Sequence, residues 1–156
     1  MTLTTHAAIG AAIGHQMGNP ILGFCLGMIS HFLVDMIPHG DSKFAEMYLK
    51  KQRKTRAAVA YVTVDATIAL LFILALMNVG DYANRLAFSA SIAGSIMPDL
   101  LTGLADVTKA KMLKPFVRVH FFFHNFFLNR YGDVKLSYAL AGQIAFVGFL
   151  LERVLR

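Results

Sequence analysis

Long apolar runs with few charges constrain the fold of this chain more than any other feature. The strongest run covers residues 57–78 and contains only three polar residues before its end. A helix of about 20 apolar residues is long enough to cross a bilayer. The whole chain is 56% hydrophobic and 15% charged, which is more apolar than is typical of soluble domains. We therefore predict one integral membrane domain over residues 1–156.

Six apolar runs predict an all-α, polytopic membrane bundle of about six helices. Turn-forming residues separate the runs, as at Gly18-Asn19-Pro20, where Pro20 suits the first position of a helix. The predicted helices cover residues 4–17, 20–36, 57–78, 84–105, 116–128 and 136–151.

The distribution of basic residues predicts the orientation of this bundle. If each helix crosses the membrane, 12 of the 15 Lys and Arg residues lie on the same side as both termini. Cytoplasmic loops carry such an excess, so we predict that the N- and C-termini both face the cytoplasm and that the protein is a multi-pass protein of the inner (plasma) membrane.

The polar segment 41–56 is predicted to lie on the membrane surface, where its cations would contact the anionic lipid head groups of the inner leaflet. These cations are Lys50, Lys51, Arg53, Lys54 and Arg56. No recognised nucleic-acid-binding module accompanies the positive charge, so no nucleic-acid partner is expected.

A second informative feature is a set of ionisable side chains that this topology places in the inner-leaflet half of the bundle. They come from five helices: His6, His31, Asp35, Asp65, Asp99, His120 and His124. Two pairs, His31/Asp35 and His120/His124, are four residues apart and therefore share a helical face. Because unpaired ionisable groups are costly in lipid, we expect these side chains to bind one another or a cation.

Imidazole and carboxylate groups in this pattern are typical of metal sites. The two helical pairs are predicted to hold a divalent ion, and His6 and Asp99 would complete the shell or hold a second ion. Zinc is the first choice for such ligands, with manganese or iron as alternatives. His39 and Asp41 follow Pro38 at the water boundary, where they suit contacts with a substrate, acid–base chemistry or the orientation of a ligand.

Four short motifs are distributed over most of the chain: Thr5-His6, His31-x-x-x-Asp35-x-x-Pro38-His39-x-Asp41, Pro98-Asp99 and His120-x-x-x-His124. Together they resemble the membrane-bound metal-dependent hydrolases, a family of small multi-helix inner-membrane proteins. The resemblance implies a helical membrane domain that hydrolyses a lipid or a phosphoester at the cytoplasmic face. It also implies metal-binding roles for His6, His31, Asp35, Asp99, His120 and His124.

A hydrolase of this kind would use its metal to activate water at neutral pH. Asp65 or His39 is the predicted general base or leaving-group acid. Asp41 is predicted to contact the substrate or to support a ligand.

Other functions are consistent with the same residues. Intramembrane His and Asp also build pathways for metal ions or protons, so a transporter is the main alternative. Paired histidines could instead bind haem, or the polar groups could have a structural role. Metal flux in proteoliposomes and a haem absorption band distinguish these possibilities.

Overall fold

The computed structural model describes residues 1–42 and 55–156 and is helical throughout, with no strand in these two ranges. The prediction of an all-α chain is confirmed. The seven α-helices of the described residues are α1 (Leu3–Gln16), α2 (Pro20–Asp35), α3 (Thr55–Val79), α4 (Arg85–Thr108), α5 (Lys114–His124), α6 (Leu128–Tyr131) and α7 (Leu136–Val154). A short 3-10 turn, Lys111–Leu113, precedes α5.

Side-chain caps explain where several helices begin. Pro20 is the first residue of α2, and the side-chain oxygen of Asn19 accepts hydrogen bonds from the backbone N–H groups of Ile21 and Leu22 at 2.9 and 3.0 Å. The Asn84 side chain caps α4 in the same way. Such caps satisfy donors that have no partner inside the helix. The turn predicted at Gly18-Asn19-Pro20 is therefore present.

Helices α1, α2 and α4 form the centre of the fold, and glycines allow them to pack closely. A Cβ atom on Gly27 would lie 2.2 Å from the Ser91 carbonyl oxygen, and a Cβ on Gly94 would lie 2.1 Å from that of Phe24. A Cβ on Gly10 of α1 would lie 2.8 Å from the Cα atom of Ile92 in α4. Helix backbones can approach this closely only where the side chain is a hydrogen atom.

Helices α2 and α4 run parallel with a constant register. Gly23 lies against Ala87, Gly27 against Ser91, and His31 against Ser95. The next step of four residues along each helix reaches Asp35 and Asp99, whose carboxylates are close together. The close packing therefore determines which polar side chains meet at the end of the two helices.

The remaining helices surround this centre. Helices α3 and α7 pack on α1, and α5 packs on α2 and α4. An apolar core lies at the end of α1 away from the polar cluster, and it is built from Ala7, Ala11, Leu76, Tyr82, Phe88, Ile92 and Val154.

The fifth predicted helix differs from the observed one. It was expected over 116–128 but is found over Lys114–His124, and the chain then turns at Asn125 before α6 begins. Asn favours helix ends because its side chain competes for backbone hydrogen bonds. The turn leaves His120 and His124 on the last two turns of α5, facing α2.

Among the described residues, only α3 has the length and apolar composition to cross a membrane, over 56–79. Its apolar side chains are largely exposed, as for Val62 at 63% and Leu71 at 61%. Helices α1, α2 and α5 contain 14, 16 and 11 residues, fewer than the roughly 20 of a full span. One candidate span is therefore present, and the six crossings stay a prediction. The prediction that both termini lie on one side is wrong, because α1 and α7 run in the same direction: Thr2 contacts Gln143, and the later residues Ala7 and Val154 share the apolar core.

Candidate metal centre

The polar cluster begins with His31 and Asp35 on the buried face of α2. Both side chains are almost completely shielded from solvent. The Nδ1 atom of His31 lies 2.7 Å from the carbonyl oxygen of Ser95. Because a carbonyl oxygen only accepts hydrogen bonds, Nδ1 must carry the proton, and the lone pair is then on Nε2. The contact with α4 thus directs a ligand atom of His31 into the cluster.

His31 Nε2 belongs to a first group of four potential ligands. The group contains His31, Asp35, Asp99 and His120, and their ligand atoms all lie within 4.8 Å of one another. Asp99 Oδ1 is 3.8 Å from His31 Nε2 and 3.7 Å from His120 Nε2. Two ligand atoms that bind the same zinc ion, each about 2.1 Å from it, are at most roughly 4.2 Å apart. These separations therefore suit one shared ion.

A second group lies beside the first and contains Asp35, His39 and His124, again within 4.8 Å of one another. Asp41 extends it, since its carboxylate oxygens are 3.0 Å from His39 Nε2 and 3.6 Å from His124 Nε2. His39 Nδ1 lies 2.7 Å from the carbonyl oxygen of Ile37, which leaves the Nε2 lone pair facing the cluster. Two imidazoles and two carboxylates therefore meet here.

Asp35 is common to both groups and presents one oxygen to each. Its Oδ2 atom is 3.9 Å from Nε2 of His120 in the first group, and its Oδ1 atom is 3.9 Å from Nε2 of His39 in the second. A carboxylate can bind two cations through its two oxygens. The buried side chains of the described residues are thus close enough to hold a metal ion.

Several buried atoms of the cluster lack a hydrogen-bond partner, which supports this interpretation. They include His31 Nε2, Asp35 Oδ2 and Asp41 Oδ1. Buried polar atoms are normally paired, so unpaired acceptors in both ligand groups fit the binding of a cation.

A positive group already contacts the second set of ligands. The Met1 amino nitrogen lies 2.5 Å from Asp35 Oδ1 and 2.6 Å from His39 Nε2. Burial acts to lower the pKa of this amine, but the carboxylates of Asp35, Asp41 and Asp99 outweigh burial and raise the pKa above its ordinary value. The site therefore stabilises a cation.

The loop after α2 is held in place by a residue far away in the sequence. The Asp133 carboxylate accepts hydrogen bonds from the backbone N–H of Gly40 at 2.8 Å and from the backbone and hydroxyl of Ser42. Burial acts to raise the pKa of Asp133, but these hydrogen bonds lower it below its ordinary value. For Asp41, burial is likewise outweighed by the neighbouring imidazoles of His124 and His39, which lower the pKa. Both loop carboxylates are therefore ionised at neutral pH.

The remaining predicted site residues occupy different positions. His6 is completely buried, stacks on His31 with ring centroids 4.0 Å apart, and places Nε2 3.4 Å from Asp35 Oδ1. It borders both groups without belonging to either.

Asp65 instead accepts hydrogen bonds from Leu3 N at 2.7 Å and Thr4 Oγ1 at 3.2 Å, at the start of α1. Its position therefore suits a helix cap, and its catalytic role stays a prediction.

Of the predicted head-group contacts, only Arg56 is described, and it is exposed. The other four, Lys50, Lys51, Arg53 and Lys54, lie outside the described residues.

Three supporting residues were not predicted from the sequence: Ser95, Asp133 and Gln143. The Gln143 oxygen accepts hydrogen bonds from Thr2 and Thr5 and ties the start of α1 to α7. Gln143 is a polar residue in an otherwise apolar run, which is a signal that sequence reading can use. Ser95 acts through its backbone oxygen, and a backbone contact leaves no such signal.

Comparison with known proteins gave no relatives. The sequence matches no family model, and neither the curated proteins nor the solved structures include a match. The chemistry of the side chains in the cluster is therefore the basis for a function.

Proposed function

We propose that this protein is a metal-dependent hydrolase of the cytoplasmic membrane that holds two divalent ions and acts on a lipid or phosphoester. The observation that carries the proposal is the pair of ligand groups that share Asp35. The first ion would be held by His31, Asp99 and His120, and the second by His39, Asp41 and His124, with Asp35 between them. The second ion would replace the Met1 amine, which contacts Asp35 and His39.

Zinc is the ion that we propose first. Each ligand group combines imidazole nitrogens with carboxylate oxygens, a set that zinc accepts readily and that manganese and iron also accept. The backbone carbonyls of Ser95 and Ile37 support the proposal because they fix two histidine rings with Nε2 toward the ions. Ligand histidines in metal sites generally donate their other N–H in this way.

A bound divalent ion supplies Lewis acidity, which polarises a carbonyl or phosphoryl oxygen and activates water at neutral pH. The protein supplies orientation and proton transfer. The Asp41 side chain is partly exposed, and its carboxylate contacts two histidines. We assign to it either binding of the second ion or acceptance of a proton from water, since an ionised carboxylate can do either.

The membrane location is part of the proposal. The exposed apolar surface of α3 supports it, as does the position of the basic segment 41–56 directly before this helix. Cations beside a membrane helix attract anionic lipid. An N-terminus on the cytoplasmic side, as predicted from the basic residues, would place the ligand groups near the cytoplasmic face, because the Met1 amine contacts Asp35.

Metal analysis of the detergent-purified protein tests the proposal. We expect close to two equivalents of zinc, manganese or iron per chain, and hydrolysis of at least one member of a panel of phospholipids and soluble phosphoesters. His31→Ala and His120→Ala should each lose metal and activity. His15→Ala is the matched control, because His15 lies at the other end of α1 and packs against Tyr82.

Two results would contradict the proposal. One is a His31→Ala/His120→Ala double variant that keeps its full metal content. The other is a protein that transports zinc or manganese in proteoliposomes without hydrolysing any substrate of the panel, which would favour the transporter.

A further inference from the structure

An apolar groove leads away from the second ligand group, between the end of α2 and α7. Its volume is about 370 Å³, near the lower end of the range for ligand-binding clefts. Val34, Ile37 and Pro38 form one wall, and Ala139, Gly142 and Phe146 form the other. His39, a member of the second ligand group, also lines it. The groove and the polar cluster are therefore continuous.

The directions of the helices give the groove a polar end and an apolar end. Gly40 packs against Leu136 at the start of α7. Helix α7 runs in the same direction as α1, because Thr2 contacts Gln143 and the later residues Ala7 and Val154 share a core. Helix α7 is therefore antiparallel to α2. His39 and Tyr138 thus lie at one end, and Val34 and Phe146 lie at the other.

A cation stands at the polar end. The Lys135 amino nitrogen is 5.8 Å from the centre of the Tyr138 ring, and both side chains are exposed. An ammonium group beside a ligand cluster can attract an anionic head group. The rest of the groove offers mainly hydrocarbon contacts. This combination of a charged mouth and an apolar channel matches a molecule with an anionic head and a long hydrocarbon tail.

We propose that the groove binds one acyl chain of an anionic phospholipid, with the head group directed at His39 and the second ligand group. The binding site stands independently of catalysis, whereas the statement that this phospholipid is the substrate rests on the proposed function. A soluble phosphoester would leave the apolar walls without a partner, which is why a lipid is the favoured class.

The absence of a side chain on Gly142 provides a direct test. A Cβ atom on Gly142 would meet nothing within 4 Å, so a leucine at this position can enter the groove without displacing the backbone. Gly148 of the same helix is equally unobstructed but does not line the groove. Gly142→Leu and Gly148→Leu are thus a matched pair, and equal melting temperatures would verify that both fold.

The probe is a phosphatidylglycerol that carries a photoreactive diazirine near the end of one acyl chain. It is added to the detergent-purified full-length protein, and labelled peptides are identified by mass spectrometry. We expect labelling to concentrate on residues 34–38 and 139–146. Gly142→Leu should lower this labelling by about tenfold and Gly148→Leu by less than about twofold, because a change of a few carbons in an apolar pocket alters binding strongly.

Labelling spread evenly over the exposed apolar helices, or equal labelling of both variants, would overturn the groove proposal. Metal content and hydrolysis are measured on the same samples. A protein with a labelled groove but no metal would refute the proposed function and leave the lipid site intact, whereas a metal-loaded protein without specific labelling would do the reverse.

Discussion

The packing of α2 on α4 yields a sharp prediction for Gly27→Ala. The new Cβ atom would lie 2.2 Å from the Ser91 carbonyl oxygen, whereas ordinary contacts begin at 3.4 Å. The neighbouring atom is backbone, so the clash can be relieved only if the helices move apart by roughly 1 Å. Such overpacking typically costs about 1–3 kcal/mol, which exceeds the gain of up to about 1 kcal/mol from replacing glycine in a helix.

The same movement would disturb the metal centre. His31 lies one turn beyond Gly27, and its Nδ1–H donates to the Ser95 carbonyl at 2.7 Å. A separation of roughly 1 Å would lengthen this hydrogen bond beyond its effective range. We therefore expect Gly27→Ala to lower the free energy of unfolding by about 1–2 kcal/mol and also to reduce the metal content.

Thermal unfolding followed by circular dichroism, with metal analysis of the same preparation, measures both effects. The control is Gly103→Ala in α4, where a Cβ atom meets nothing within 4 Å. This variant should be unchanged or more stable by up to about 1 kcal/mol, with full metal content. If Gly27→Ala were as stable as Gly103→Ala and bound as much metal, the close packing would not position His31.

Three further predictions concern the carboxylates. Asp35→Asn should reduce the metal content below half of the wild-type value, because one carboxylate faces both ligand groups; unchanged stoichiometry in elemental analysis would contradict the shared role. Asp65→Asn should keep the metal and destabilise the fold by roughly 1 kcal/mol in thermal unfolding, because the start of α1 loses a capping carboxylate. Loss of activity without loss of stability would instead support a catalytic role. Asp133→Asn should destabilise the protein by about 1 kcal/mol or less at pH 7, because the Gly40 and Ser42 hydrogen bonds to the exposed carboxylate weaken. Since folding lowers the pKa of Asp133, its contribution is fully present above the unfolded carboxyl pKa of about 3.9 and is lost as the pH falls through the lower folded value. The difference between the two melting temperatures should therefore begin to shrink below about pH 4 and vanish below the folded pKa; a difference that does not shrink would contradict the assignment.

The exposed apolar surface of α3 determines the solvent conditions for these stability measurements. Its apolar side chains face outward, so the helix gains little from packing within the chain. In the membrane location that we propose, lipid or detergent covers that surface, and all unfolding measurements therefore use the same detergent.

Local rules account for the parts of the site that the sequence predicted. Residues four apart on a helix share a face, and this alone paired His31 with Asp35 and His120 with His124. Pro20 gave the start of α2, and the turn at Gly80-Asp81-Tyr82 separated α3 from α4. The all-helical fold followed from the length and apolar character of the runs. These properties depend on residues that are near one another in the chain.

Tertiary contacts decided how those faces meet. The register of α2 on α4 brought Asp99 to Asp35, and Asp133, more than 90 residues away, fixed the loop that carries His39 and Asp41. The same long-range packing directed Asp65 to the start of α1 and opened the groove beside His39. Sequence spacing defines which side chains share one helical face, whereas the close packing of distant glycines selects which faces share a site.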